Sequence, residues 1–150
     1  MKRSPSPEAN AAHMRVVLDT NILISALVQP AGRLAGLLDV WGDGRFELLF
    51  CDELIVEFRR VTRLGKLASL ISASMAGRLL NDLRNLGIYV ADLPEIDVSP
   101  DPWDNFLLAL AEVGKAEWLV TGDKADLLSL GKHRTTKIVS VRRFADILGI

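Results

Sequence analysis

The chain has 150 residues, of which 49% are apolar and 25% charged, the composition of a single globular domain large enough for a real core. Its net charge of −1 supplies no bulk attraction for nucleic acid, so such a partner would need a local basic patch. No apolar run approaches the roughly 20 residues of a membrane helix, and the single cysteine, Cys51, excludes an internal disulfide and suggests a reducing, cytoplasmic compartment.

Residues 1–13, from Met1 through Ser4-Pro5-Ser6-Pro7 to His13, are polar and lack the apolar core of a signal peptide. They read as a disordered leader before a domain over 14–150, with Met14 an alternative start. Val16 to Leu18 is a short apolar run that ends abruptly in Asp19-Thr20-Asn21. β-branched runs of this kind read as buried strands of a parallel sheet. Ile22 to Val28 reads as a helix stopped by Gln29-Pro30, and a second helix, about Arg33 to Trp41, ends at Gly42-Asp43-Gly44. Phe46 to Cys51 is the second strand, its cysteine expected as a small buried hydrophobe. Asp52 is the expected cap of a helix over 53–64 that Gly65 ends.

Ser72 or Ser74 opens a helix running through Asn85 to Gly87, and Ile88 to Val90 is a short strand. A Pro-rich connection, Leu93 to Pro100, leads to a helix over 104–113. Trp118 to Thr121 is a strand closed by Gly122-Asp123, where the glycine permits a sharp exit and a close backbone approach. A helical turn over 125–130, a strand over 137–141 and a helix over 142–148 finish the chain. Strands alternating with helices predict an α/β fold: a parallel sheet of about five strands in a three-layer α/β/α sandwich.

Acids recur at one kind of place. Asp19 and Asp123 each end an apolar strand, and in open α/β sheets the carboxyl edge is where ligands bind. Either acid would serve equally well as a cap or turn residue. In Asp101-Pro102-Trp103-Asp104-Asn105, Asp101 fits an N-cap, Pro102 the first helical position, and Asp104 the first turn. The helix that follows, Phe106 to Val113, is apolar almost all round and therefore buried. Its N-terminus would open into the crevice, which makes Asp104 the better ligand and Asp101 a cap or supporting acid. On helix 53–64, Leu54, Phe58, Val61 and Leu64 form the inward stripe at 100° per residue, and Glu57 falls within that arc while Glu53 lies just outside it. A carboxylate on a core-facing stripe needs a partner. Arg60 on the next turn is the plain choice, and a metal shared with Asp19 the sharper one. Asp126 is either a supporting acid or, slightly favoured, a solvated helix residue.

Four acids, Asp19, Glu57, Asp104 and Asp123, are thus expected at one sheet edge. Carboxylate-only sites suit Mg²⁺ or Mn²⁺. His13 and His133 are isolated, which argues against zinc. Alone, the acids would repel one another, and one or two cations would relieve this. Two metals about 3.5–4 Å apart can activate water and stabilise the leaving oxygen of a phosphodiester.

With Val17-Leu18-Asp19-Thr20-Asn21, Glu57 in the segment 52–60, Asp101-Pro102-Trp103-Asp104-Asn105-Phe106 before Leu108-Ala109-Leu110-Ala111, Val120-Thr121-Gly122-Asp123-Lys124, and Ile138-Val139-Ser140 with Phe144, the chain from Met14 to about Leu148 resembles the PIN-domain ribonucleases found as toxins of bacterial toxin–antitoxin pairs. The resemblance implies a Mg²⁺/Mn²⁺-dependent endoribonuclease that hydrolyses phosphodiesters with activated water. Asp19, Glu57, Asp104 and Asp123 would carry metal, with Asn21, Asp101 and Thr121 in support. It also implies a cognate antitoxin partner and commonly a homodimer. Trp103, between the two acids, is bulky and would either shape the entrance or pack on the surface. Phosphate contacts would come from Arg59, Arg60, Arg63 and Lys66, from Lys132, Arg134 and Lys137, and from Arg142 and Arg143, although a solvated face is the plainer reading of any single one. A haloacid-dehalogenase-type phosphatase would need a second Asp where Asn21 stands. A receiver-like regulatory domain that binds Mg²⁺ would need a Lys after a late strand, whereas Lys137 precedes one. A PIN-like fold that only binds RNA or protein is disfavoured by the intact acids.

Overall fold

The computed structural model describes residues 14–122 and 125–150. The expected leader over 1–13 lies outside the described residues, as do Asp123 and Lys124. The chain runs β1 (Arg15–Leu18), α1 (Thr20–Val28), α2 (Arg33–Gly42), β2 (Glu47–Phe50), α3 (Asp52–Thr62), α4 (Gly65–Leu70), α5 (Ala73–Leu86) and β3 (Ile88–Tyr89). It continues with α6 (Pro102–Gly114), β4 (Trp118–Thr121), α7 (Ala125–Leu130), β5 (Lys132–His133), β6 (Thr136–Ser140) and α8 (Val141–Leu148). The sheet order is β3-β2-β1-β4-β6-β5. All pairings are parallel except β5 with β6. Helices flank this sheet in a three-layer α/β/α arrangement.

The central strands carry the core. Val16, Val17 and Leu18 of β1, Leu48 and Leu49 of β2, and Leu119 and Val120 of β4 are buried on both faces of the sheet, which is why these runs show no polar alternation. α6 packs across β1, β2 and β4 and buries Leu107, Leu108, Ala109, Leu110 and Ala111. Only its carboxyl end departs from the expected all-round burial, since Val113 is exposed. No single helix among the described residues is long and apolar enough to cross a membrane.

Three expectations are corrected. α3 is capped by Cys51 backbone rather than by Asp52, which is its first residue. α3 also stops at Thr62, whose hydroxyl turns back to the Phe58 carbonyl at 2.9 Å. Leu64 therefore leaves the inward stripe, is 51% exposed, and precedes a short helix, α4, that has no periodic signal in the sequence. The sheet has six strands, because β5 folds back on β6 through Arg134, at φ 55°, and Thr135. That two-residue connection lacks the Asn-Gly or Asp-Gly pair that marks such a hairpin in sequence.

Candidate active site

β1 lies between β2 and β4, so the strand order reverses at the junction of β1 and β4. In a doubly wound sheet a crevice opens at the carboxyl ends of such a pair. The register Leu18↔Val120 brings the ends of the two strands level, and the Asp19 N–H continues the pairing onto the Val120 carbonyl at 2.9 Å. Asp19 is 1% exposed. Its Oδ1 accepts from the Asn21 backbone N–H at 3.2 Å, which caps α1. Its Oδ2 accepts from Thr121 Oγ at 2.9 Å, across the two strands. The capping and site readings of Asp19 are thus compatible, because one oxygen serves each.

Glu57 enters from α3. Leu54, Ile55, Phe58 and Thr62 bury the inner face of that helix, and Glu57 sits among them at 8% exposed, while Glu53 is exposed. Glu57 Oε2 accepts from Thr20 Oγ at 2.8 Å. Thr20 directly follows Asp19, so one dipeptide touches both the β4 end and the α3 acid. Hydrogen bonds to an ionised carboxylate are shorter and stronger than neutral ones, and here two threonine hydroxyls fix two carboxylates. Thr121 was readable in sequence as a supporting residue. The tie from Thr20 to Glu57 was not, because it depends on how α3 lies against α1.

Asp104 stands in the first turn of α6 and is 1% exposed. Asp101 carries the cap, with its Oδ1 accepting from the Trp103 N–H at 3.0 Å. The two acids of this motif therefore divide as expected, a cap and a buried carboxylate. Ser99 Oγ donates to Asp104 Oδ2 at 3.3 Å and accepts from the Asp101 N–H at 3.3 Å. Asn105 clamps the preceding loop, its Oδ1 accepting from the Val98 and Ser99 N–H groups and its Nδ2 donating to the Ser99 carbonyl. Ser99 lies in a Pro-rich connection that carries no periodic signal, and its pairing with Asn105 of α6 depends on the loop folding onto the helix.

These acids share an oxygen-only donor set in a buried setting, the chemistry of a hard divalent cation rather than zinc. Among the described residues no three His, Cys, Asp or Glu side chains gather closely enough to hold a metal. Asp123, expected on the same edge, lies outside the described residues. The residues present therefore fit an oxygen-ligated cation by donor type and burial. Asn21 contributes its backbone N–H while its side chain is exposed, and Asp126 is exposed on α7. A groove of about 880 Å³ between α1, α2 and α5 is lined by none of these acids, so the site is assigned on chemistry and topology rather than on size.

A family model described as PIN domain matches residues 15–125, from β1 to the start of α7. The chain belongs to the PIN-domain family. PIN domains are generally metal-dependent nucleases, in keeping with buried carboxylates near a strand-order reversal. No curated protein matches the chain. The receiver-like alternative also fails on topology, since β1 here adjoins β4, whereas the receiver order sets β1 between β2 and β3.

Proposed function

We propose that this PIN domain is a Mg²⁺- or Mn²⁺-dependent endoribonuclease and the toxin of a toxin–antitoxin pair. The observation that carries the nuclease reading is the Asp19–Thr121 hydrogen bond across β1 and β4, with Glu57 tied to the same dipeptide through Thr20. Asp19, Glu57, Asp104 and Asp123 are the proposed ligands of one or two cations, with Asn21, Asp101, Thr121 and Asp126 supporting. These acids would hold the cation, which would supply an activated water and offset charge on the leaving oxygen. The protein's own residues do the rest. Thr121 and Thr20 hold Asp19 and Glu57 in fixed rotamers, Ser99 holds Asp104, and the hydrophobic wall of α6 keeps bulk water from the far side of the site. The hydroxyls that meet these acids among the described residues, those of Ser99, Thr20 and Thr121, are buried and donate to the carboxylates, which supports positioning roles for them and direct attack by water over a covalent enzyme intermediate. An antitoxin covering the site, a homodimer and a cytoplasmic setting complete the proposal.

Incubating the full chain with structured RNA in Mn²⁺, and again in excess chelator, tests the reaction. Cleavage in Mn²⁺ that stops in chelator and in Asp19→Asn is the expected result. Undiminished cleavage in chelator, or a trapped phospho-enzyme, overturns it. Growth arrest on expression, relieved by co-expressing the protein from an adjacent open reading frame, tests the toxin role.

A further inference from the structure

Trp103, between the cap Asp101 and the buried Asp104, is 43% exposed, although an indole of this size contributes most when it is buried. The Arg60 guanidinium lies 5.1 Å from its ring centroid. Phe106 meets the ring nearly perpendicularly, at 89° and 6.3 Å, and bears on it from one turn along α6. The Trp103 backbone is fixed by the Asp101 cap. Arg60 is one helical turn beyond Glu57, and Trp103 is the immediate neighbour of Asp104. The pair therefore joins α3 to α6 at the rim of the acidic site, with one member rooted beside each acid.

We infer that Trp103 and Arg60 form a stacking clamp for one unpaired base of an RNA strand whose phosphate lies at the acids. The inference rests on the nuclease reading of the site and goes beyond it by naming the two residues of this chain that would grip a base beside the phosphate. An exposed indole presents a π face to any base, and such stacking tolerates all four bases. A base within a duplex is already stacked and offers only its edge. Arg60, always charged and weakly hydrated, is suited both to lie on the indole and to meet the phosphate that follows the stacked base. A docked protein segment is the other occupant such a rim could take, and the test separates the two.

The experiment titrates eight-nucleotide oligouridylate into the full chain, in chelator and again in Ca²⁺, and follows tryptophan quenching and Kd by anisotropy. An abasic oligomer of equal length and the matching duplex are run in parallel. Wild type is expected to quench and to bind the base-bearing single strand more tightly than either control. Trp103→Ala is expected to weaken that binding by roughly 5- to 150-fold while leaving abasic binding within twofold, and Trp103→Phe to retain most of the affinity. Arg60→Gln is expected to lower the slope of log K against log salt by about 0.7, the loss of one phosphate contact on a single strand. Absence of quenching in both buffers, equal binding of duplex, or equal effects of Trp103→Ala on base-bearing and abasic strands overturns the clamp. RNA affinity indifferent to Trp103→Ala overturns it too and points to the protein segment. Cleavage measured alongside keeps the two readings apart. Metal-dependent cleavage with no stacking sinks the clamp alone, whereas stacking without metal-dependent cleavage sinks the nuclease reading.

Discussion

Thr20 and Thr121 show how much of the site rests on single hydroxyl groups. Each is buried and each donates to a carboxylate proposed as a metal ligand. Partners of this kind orient metal ligands, and removing one typically costs 10–100-fold in metal affinity. Thr121→Val keeps the shape of the side chain, so we expect Mn²⁺ affinity to fall by roughly tenfold or more with the fold retained; calorimetric titration checks this, and an unchanged affinity removes Thr121 from the site. Glu57→Gln is expected to reduce RNA cleavage by about a hundredfold or more and Glu53→Gln by less than twofold, since only Glu57 faces inward. Equal losses would refute that placement. Asp101 and Asp104 separate in the same way. Asp101→Ala should lower stability by about 1 kcal/mol, the usual value of an N-cap, while Asp104→Asn, which still accepts from Ser99, should melt close to wild type without added metal. With Mn²⁺ at a hundred times its dissociation constant, wild type should gain about 2.7 kcal/mol and Asp104→Asn clearly less. Melting curves with and without Mn²⁺ decide it, and an equal shift in both proteins excludes Asp104 as a ligand.

At the scale of elements, two glycines that look alike in sequence have different duties. Gly87 and Gly122 both follow an element, but a Cβ at Gly122 would meet nothing within 4 Å among the described residues. At Gly87 a Cβ would stand 2.6 Å from the Leu83 carbonyl oxygen and 3.1 Å from that of Leu48, both backbone atoms that cannot move aside. The glycine allows the end of α5 to lie against β2, and its φ of −80° shows that the need is for space rather than for a left-handed turn. Gly87→Ala should therefore destabilise by about 1–3 kcal/mol, the range for overpacking, whereas Gly122→Ala should stay within about 0.5 kcal/mol. Urea titrations of the two variants test the contrast, and similar midpoints would contradict it. The short helix α4 and strand β5 belong to the same lesson. Both are too brief to show a period, and each is held by neighbours: α4 by the end of α3, and β5 by β6.

For the molecule as a whole, burial of Cys51 gives a reporter of global unfolding. The thiol is fully buried at the head of α3, and removal from water pushes its pKa from 9.0 up to about 12. A buried thiolate is disfavoured, so the folded form keeps its proton where the unfolded form loses it. The thiol's contribution is complete below pH 9 and is lost as pH rises from there towards 12, by about 1.4 kcal/mol per unit. Cys51→Ala should be measurably less sensitive to alkali than wild type over that window. At pH 8, iodoacetamide should modify Cys51 only at the rate of global unfolding. Rapid labelling of native protein would show that the end of β2 opens locally.

The sequence by itself determined the strands and helices apart from α4 and β5, the parallel sheet, the cap at Asp101 and the inward placing of Glu57 on α3. These follow from local rules: apolar runs too uniform for a half-exposed strand, a Pro at the first helical position, and a 100° rotation that buries Glu57 and leaves Glu53 in water. It also carried the family, through short motifs in order. Tertiary structure alone decided the strand order that places β1 beside β4, and hence the crevice at Asp19. It alone paired Thr20 with Glu57, Ser99 with Asp104 and Arg60 with Trp103, contacts whose partners are separated by 37, 5 and 43 positions of chain. Such pairings have no period or spacing to betray them. They arise because α3 packs against α1 and α5 while α6 packs across the sheet, and that arrangement fixes where their polar residues meet.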